Sequence, residues 1–189
     1  MKHSEIIERI EENPIIAAVR NESDLDEAIA SQVTTIFLLH ADIFNLSRMV
    51  DRVKAAGKTV LIHVDFLEGL GRDNKAIDYI CEIIKPHGII STKSSSIKYA
   101  LEKDMFTIQR FFLIDSLSYD NSIKTIQSIK PDMIEIMPGV MPVVIKRILG
   151  RLSVPLIAGG LIETKEEIME ILNAGALGAS TGKKQLWNL

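Results

Sequence analysis

Polar and charged side chains recur where the apolar runs of this sequence end. Arg20 closes the run Ile15–Arg20, His40 closes Thr35–His40, and His63 with Asp65 closes Thr59–Asp65. Thr92 and Lys93 end the run from Gly88, Gln109 and Arg110 interrupt Phe106–Phe112, and Glu135 interrupts Met133–Met137. Near the C-terminus the pattern changes: Leu156–Gly159 runs into Gly160, and Ala176–Thr181 ends in Ser180 and Thr181 and runs into Gly182. Glycines let an oxyanion approach backbone N–H groups, and hydroxyls add donors, so these two segments together have the chemistry of a phosphate site. A Gly-Gly pair alone is as easily a tight turn; Ser-Thr-Gly at the end of the next run makes it a two-loop cradle.

The carboxylates impose a second requirement. Burying one costs several kcal/mol unless it is paired, so Asp65 and Glu135 call for partners such as Arg20, Lys93 or Arg110. Period-two alternation places His63 with Asp65 on one strand face, and Gln109 with Thr107 on another. A polar layer that satisfies only itself explains any one of these residues; their clustering at run ends favours a binding mouth.

Positioning them requires a repeating frame. Eight runs read as strands: Ile15–Arg20, Thr35–His40, Thr59–Asp65, Gly88–Thr92, Phe106–Phe112, Met133–Met137, Leu156–Gly159 and Ala176–Thr181. Helical stretches lie between them at Ser23–Ser31, Asn45–Ala56, Asp73–Ile84, Ser94–Lys103, Ser118–Ile129, Pro142–Leu149 and Thr164–Ala174, with a short one near Lys183–Asn188. Ser23 and the Thr164/Glu167 pair are suited to cap helix starts, Gly57 and Gly175 to follow helix ends, and Pro86, Pro131 and Pro155 to break the chain before a strand. Eight βα units in series predict a small TIM-like (β/α)8 barrel, where ligands bind at the C-terminal strand ends and phosphate sits on the loops after the last two strands. An open flavodoxin-like sheet is the rival, although such sheets usually stop at five or six strands.

The chain has 189 residues, 47% hydrophobic and 25% charged, which predicts one domain spanning 1–189 and excludes a disordered or low-complexity chain. Because this is short of the roughly 250 residues typical of the fold, helices and loops must be brief. A lone cysteine, Cys81, cannot form an intramolecular disulfide and has no metal-ligand spacing around it. An acidic N-terminus with Glu5, Glu8, Glu11 and Glu12, and no run of membrane-spanning length, point to a cytoplasmic protein without a membrane partner. A net charge of -3 lacks the bulk positive charge of a general nucleic-acid binder, so RNA would need a local patch.

Several segments together resemble the glycerol-uptake operon antiterminator family: His63-Val-Asp65-Phe-Leu-Glu-Gly69, Lys85-Pro-His-Gly-Ile-Ile-Ser-Thr-Lys93, Ile108-Gln-Arg110, Lys130-Pro-Asp-Met-Ile-Glu135, Met137-Pro-Gly139, Ile157-Ala-Gly-Gly-Leu-Ile162 and Lys184-Gln-Leu-Trp187. The resemblance covers about Pro14 to Trp187. It implies a barrel that senses glycerol 3-phosphate and acts on leader mRNA to prevent premature transcription termination, with no catalysis and no cofactor beyond the regulatory ligand. Carried over by motif, Gly159, Gly160, Ser180, Thr181 and Gly182 face the phosphate, while Arg20, His63, Asp65, Lys93, Gln109 and Glu135 line the rest of the mouth. A carboxylate such as Asp65 or Glu135 suits the glycerol hydroxyls and a cation, Arg20 or Lys93, the phosphate. Leu67–Asp73, with Gly69 and Gly71, is a candidate moving loop. RNA has three candidate basic clusters, Lys93/Lys98/Lys103, Lys146/Arg147/Arg151 and Lys183/Lys184, and three aromatics for stacking, Phe66, Tyr119 and Trp187. The sequence is compatible with a homo-oligomer.

Two other classes compete. A phosphosugar isomerase, lyase or aldolase would use the same barrel, with Lys93 as a Schiff-base lysine or Asp65 as a base. Barrel phosphate decarboxylases resemble each other in an Asp-x-Lys-x-x-Asp run, whereas Asp65 here is followed by Leu67 and Glu68. A Mg²⁺ enzyme would draw on Asp65, Glu68, Asp115 and Glu135.

Overall fold

The computed structural model describes residues 1–189. In chain order the elements are α1 (His3–Glu12), β1 (Ile15–Val19), α2 (Glu22–Ala30), β2 (Thr35–Leu38), β3 (Ala41–Asp42), α3 (Leu46–Ala55), β4 (Thr59–His63), β5 (Leu67–Glu68) and α4 (Asn74–Tyr79). They continue as β6 (Gly88–Ser91), α5 (Ser94–Glu102), β7 (Phe106–Phe112), α6 (Ser116–Ile129), β8 (Met133–Met137), α7 (Pro142–Leu149), β9 (Leu156–Gly159), α8 (Lys165–Asn173) and β10 (Gly178–Thr181). Eight strands close in the order β1-β10-β9-β8-β7-β6-β4-β2 with parallel pairing throughout. Closure through the β1–β10 pair is what rules out an open sheet.

All eight strands read from the sequence are barrel strands; the first four end a residue or two earlier than their apolar runs, and the last begins two residues later, at Gly178. The shortfall in length is met at the end of the chain, where the eighth helix shrinks to a three-residue 3₁₀ turn, Lys184–Leu186. The Thr164/Glu167 box caps α8, and Gly57 and Gly175 take positive φ past helix ends, as their positions suggest. Asn21, not Ser23, flanks the start of α2. Asp115 caps α6 in a reciprocal pair with Ser118, so that helix begins earlier than Ser118. The helix after Asp73 widens into a π turn over Ile80–Ile84.

Two small elements were not foreseen. The two-residue strands β3 and β5 pair beside the barrel mouth. At the opposite end α1 closes the barrel floor. Its Ile6 and Ile10, one helical turn apart, are fully buried against Ile16, Phe37, Leu61, Ile90, Phe106, Ile108, Met133 and Ile157, the inward side chains of the lower barrel. His3 holds the helix in place through Asp132 Oδ1 at 3.0 Å, and Arg9 donates to the Gly57 carbonyl at 2.7 Å. The larger core fills the space between the strands and the surrounding helices. No helix is long and apolar enough to cross a membrane.

Candidate functional site

Inward parity, fixed by Ile108 and Met133 below, carries Arg110 and Glu135 into the upper barrel, where β7 and β8 place them level with each other. Arg110 Nε donates to Glu135 Oε2 at 2.7 Å, and Ser180 Oγ donates to Glu135 Oε1 at 2.5 Å. Glu135 is fully buried and Arg110 is 5% exposed. His63 is fully buried too, and its ring stacks on exposed Phe66 with centroids 4.7 Å apart. An apolar floor is thus topped by a charged and polar layer.

Above this layer the loops after β9 and β10 lie side by side, because Gly159 is level with Ser180 in the ladder. With the end of β1 they line a cavity of about 520 Å³, whose wall includes Arg20, Gly160, Ser180, Thr181 and Gly182. The amides of Gly160 and Gly182 donate to no acceptor of the chain. Arg20 is exposed and forms no ion pair, whereas Lys183 on the same wall is held by Glu163 at 2.9 Å. Two free amides and one free guanidinium around a cavity are complementary to an oxyanion.

The two glycines where β9 ends have different roles, Gly159 as the last strand residue and Gly160 as the first of the loop. A Cβ on Gly159 would collide with Glu135 Oε1 and come within 2.5 Å of Ser180 Oγ, so this residue makes room for the buried pair. Gly160 has φ +78°, a left-handed conformation that turns the chain over the cavity. Thr181 acts as a tie, its hydroxyl donating to the Ile162 carbonyl at 3.0 Å and accepting from the Lys183 amide at 3.1 Å. The indole N–H of Trp187 donates to the Thr181 carbonyl at 2.9 Å, which fixes the 3₁₀ turn beneath the same loop.

Three residues expected in the mouth lie elsewhere. Gln109 shares a face with Thr107, as alternation requires, but that face is outward: its side chain donates to Ser94 of α5 at 3.0 Å. Asp65 leaves the inward face because β4 ends at His63 and residues 64–66 form a 3₁₀ turn. Its carboxylate instead accepts from Ser91 Oγ at 2.6 Å and from the Thr92 amide and hydroxyl at 2.7 Å each, tying the ends of β4 and β6. Burial alone would raise its pKa, but these three hydrogen bonds outweigh burial and hold it below the ordinary carboxylate range. Lys93 stands at the start of α5 beside a separate, small recess with Asp65 and Arg72. Arg110, considered in the sequence as a carboxylate partner, is the residue that belongs in the layer. The carboxylates of a Mg²⁺ site are not brought together: Asp115 caps α6, Glu68 lies near His40, and Glu135 is held by Arg110.

Burial, then the charge of Arg110, pushes the His63 pKa down to about 4, despite the opposing pull of Asp65. His87, whose Nδ1 accepts from the Val60 amide, is held at about 4 chiefly by burial and secondarily by Lys54. Below pH 6.5 the unfolded chain protonates both rings while the folded chain keeps them neutral, so stability is full above that pH and falls on acidification toward pH 4. For His63 alone the loss is about 3 kcal/mol. Urea midpoints at pH 7.5, 5.5 and 4.5 measure this; a flat profile across that window contradicts it.

Of the basic clusters, Lys103 pairs with Asp78, Lys183 with Glu163, and Lys184 with Asp24 and Glu27. Lys146 and Arg147 on α7 are exposed and form no ion pair, while Arg151 sits over the Tyr119 ring and 3.9 Å from Asp120. Among the aromatics Phe66 is exposed and Trp187 is buried; Phe44, at 91% exposure, is the most exposed of the large hydrophobic side chains.

Comparison with known proteins places this geometry. Residues 15–187 match the sequence pattern of the family described as glycerol-3-phosphate responsive antiterminator. The uncharacterized protein YgcP of Escherichia coli is 38% identical over 184 residues, covering 97% of this chain and 96% of that protein. A crystal structure of the glycerol uptake operon antiterminator regulatory protein from Listeria monocytogenes superposes with TM-score 0.90 at 38% identity, covering 93% of this chain and 95% of that one. A glycerol uptake operon antiterminator-related protein from Thermotoga maritima gives TM-score 0.82 at 33% identity over 92% of this chain and 96% of that one. With the match running through the barrel from its first strand to Trp187, the chain belongs to the glycerol-3-phosphate responsive antiterminator family.

Proposed function

We propose that this barrel binds glycerol 3-phosphate at the β9 and β10 loops and that occupancy controls its action on leader mRNA of glycerol-utilisation genes, without catalysis. The observation that carries the reading is one cavity lined by Gly160 and Gly182, whose amides have no acceptor in the chain, and by the unpaired Arg20. For RNA, the exposed and unpaired Lys146 and Arg147 favour the α7 face over the other two basic clusters, whose lysines are partly neutralised by carboxylates. The ligand must bind one RNA-competence state better than the other, since a ligand of equal affinity for both shifts nothing.

An enzyme reading finds less support. Asp65 already accepts three hydrogen bonds from Ser91 and Thr92, and Glu135 is ion-paired to Arg110 in the barrel interior, so neither is a free general base. Lys93 stands outside the cavity wall.

Thermal unfolding with glycerol 3-phosphate, glycerol and inorganic phosphate tests the proposal. A ligand at a thousand times its Kd adds about 4 kcal/mol, and each kcal/mol raises Tm by about 2–4 °C for a chain of this size. Glycerol 3-phosphate is expected to give a shift of that order, and glycerol none. Replacing Arg20 by alanine is expected to weaken binding of both phosphates about tenfold, the loss of one charge-assisted contact. Absence of any shift at millimolar glycerol 3-phosphate, or turnover of triose or pentose phosphates, overturns the reading. RNA affinity measured with and without ligand must differ.

A further inference from the structure

The upper barrel contains buried hydrogen-bonding capacity that the chain itself does not use. Neither ring nitrogen of His63 has a partner although the side chain is fully buried, and Arg110, engaged through Nε, leaves Nη2 unpaired at 5% exposure. Buried polar groups are almost always satisfied, so three unsatisfied atoms in one layer point to a partner from outside the chain. Neither His63 nor Arg110 is on the cavity wall itself; the layer meets the cavity at Ser180 and Met137. Ser180 belongs to both, lining the cavity while its hydroxyl bonds Glu135. Met137 also lines the cavity, and its Cε lies 3.0 Å from where a Cβ on Gly159 would stand, beside Glu135 Oε1. An unbranched thioether with three rotatable bonds is a side chain that can swing aside.

We propose that His63 and Arg110 form the floor that recognises the hydroxyls of a small polyol phosphate, with Glu135 as the positioning residue that orients Arg110. This rests on the phosphate reading of the cavity above and adds which groups select the remainder of the ligand. The carboxylates suggested by the sequence for that task are already committed, Asp65 to Ser91 and Thr92, Glu135 to Arg110 and Ser180. A guanidinium only donates, while a neutral imidazole donates at one nitrogen and accepts at the other. Together they complement a hydroxyl, which must both accept and donate. A ligand without hydroxyls leaves these groups buried and unpaired, and sites of this construction reject such analogues strongly.

Calorimetric titration with glycerol 3-phosphate, propyl phosphate and inorganic phosphate separates the two readings. The wild-type chain is expected to prefer glycerol 3-phosphate over propyl phosphate about a hundredfold. His63→Phe, which keeps a planar ring against Phe66, is expected to lower that preference at least tenfold while leaving affinity for propyl phosphate and inorganic phosphate within about twofold. His63→Gln, which restores a donor and an acceptor, is expected to recover part of the preference. Circular dichroism establishes that each variant is folded. Undiminished preference in His63→Phe, or equal loss for all three ligands in both folded variants, overturns the inference. Equal wild-type affinity for the three also overturns it and leaves the phosphate site standing, whereas failure of all three to bind removes the site itself.

Discussion

Replacing Glu135 by alanine is expected to lower stability by about 3–5 kcal/mol, because it leaves the Arg110 guanidinium buried without its counter-charge. The pair lies inside the barrel with Glu135 fully buried and Arg110 5% exposed, so water cannot take the place of the lost carboxylate without opening the mouth. Ser180 loses its acceptor in the same step. Against a total of about 5–15 kcal/mol for a typical domain, such a loss is a large fraction of what holds the fold. Urea denaturation reads it directly. A change below about 1 kcal/mol would mean that the guanidinium finds solvent and that the layer is wetter than its burial indicates. Replacing both Arg110 and Glu135 by apolar residues of similar volume should restore much of the stability while removing polyol selectivity, since a buried ion pair is held at a desolvation cost that an apolar pair does not incur.

The second large effect lies at the other end of the barrel. Alanine at Ile6 or Ile10 is expected to cost about 2–5 kcal/mol each, since both side chains are fully buried in the lower plug and the closed ring of strands cannot collapse into the space they leave. The two sites share neighbours, so the double variant should differ from the sum of the single ones. Glycerol 3-phosphate affinity should change little in the folded variants, because the plug is separated from the cavity by the Arg110–Glu135 layer. Midpoints that shift by less than half a kcal/mol would mean that α1 only rests against the barrel.

That helix marks where the sequence stops being legible. Strands announce themselves locally, by β-branched runs of fixed length between amphipathic stretches, and all eight are where those runs lie. α1 offers three isoleucines, Ile6, Ile7 and Ile10, among four glutamates, and what makes Ile6 and Ile10 a structural element is contact with Ile16, Phe37 and Met133, which local periodicity does not reveal. The same distinction divides the site. Gly160, Ser180, Thr181 and Gly182 line one cavity because the last strands of a closed barrel must be neighbours and their ends are consecutive in sequence. Gln109 is misassigned because alternation says which residues share a face, not which face is inside. The inward position of Phe106 and Ile108 decides that, and it brings Arg110 inward in place of Gln109. Asp65 is misassigned because alternation was carried past His63, where the strand has already ended. A usable signal was present for Arg110: it keeps parity with Phe106 and Ile108 as Glu135 does with Met133, and the two charges are opposite and register-matched.

The Trp187 indole, 2% exposed and bonded to the Thr181 carbonyl, is the sole tryptophan of the chain. Its fluorescence therefore originates at one place, directly under the β10 loop. Emission wavelength, lifetime and quenching by acrylamide report on that loop without an attached dye, and stopped-flow mixing would follow ligand arrival in real time in a molecule with no competing emitter of the same kind.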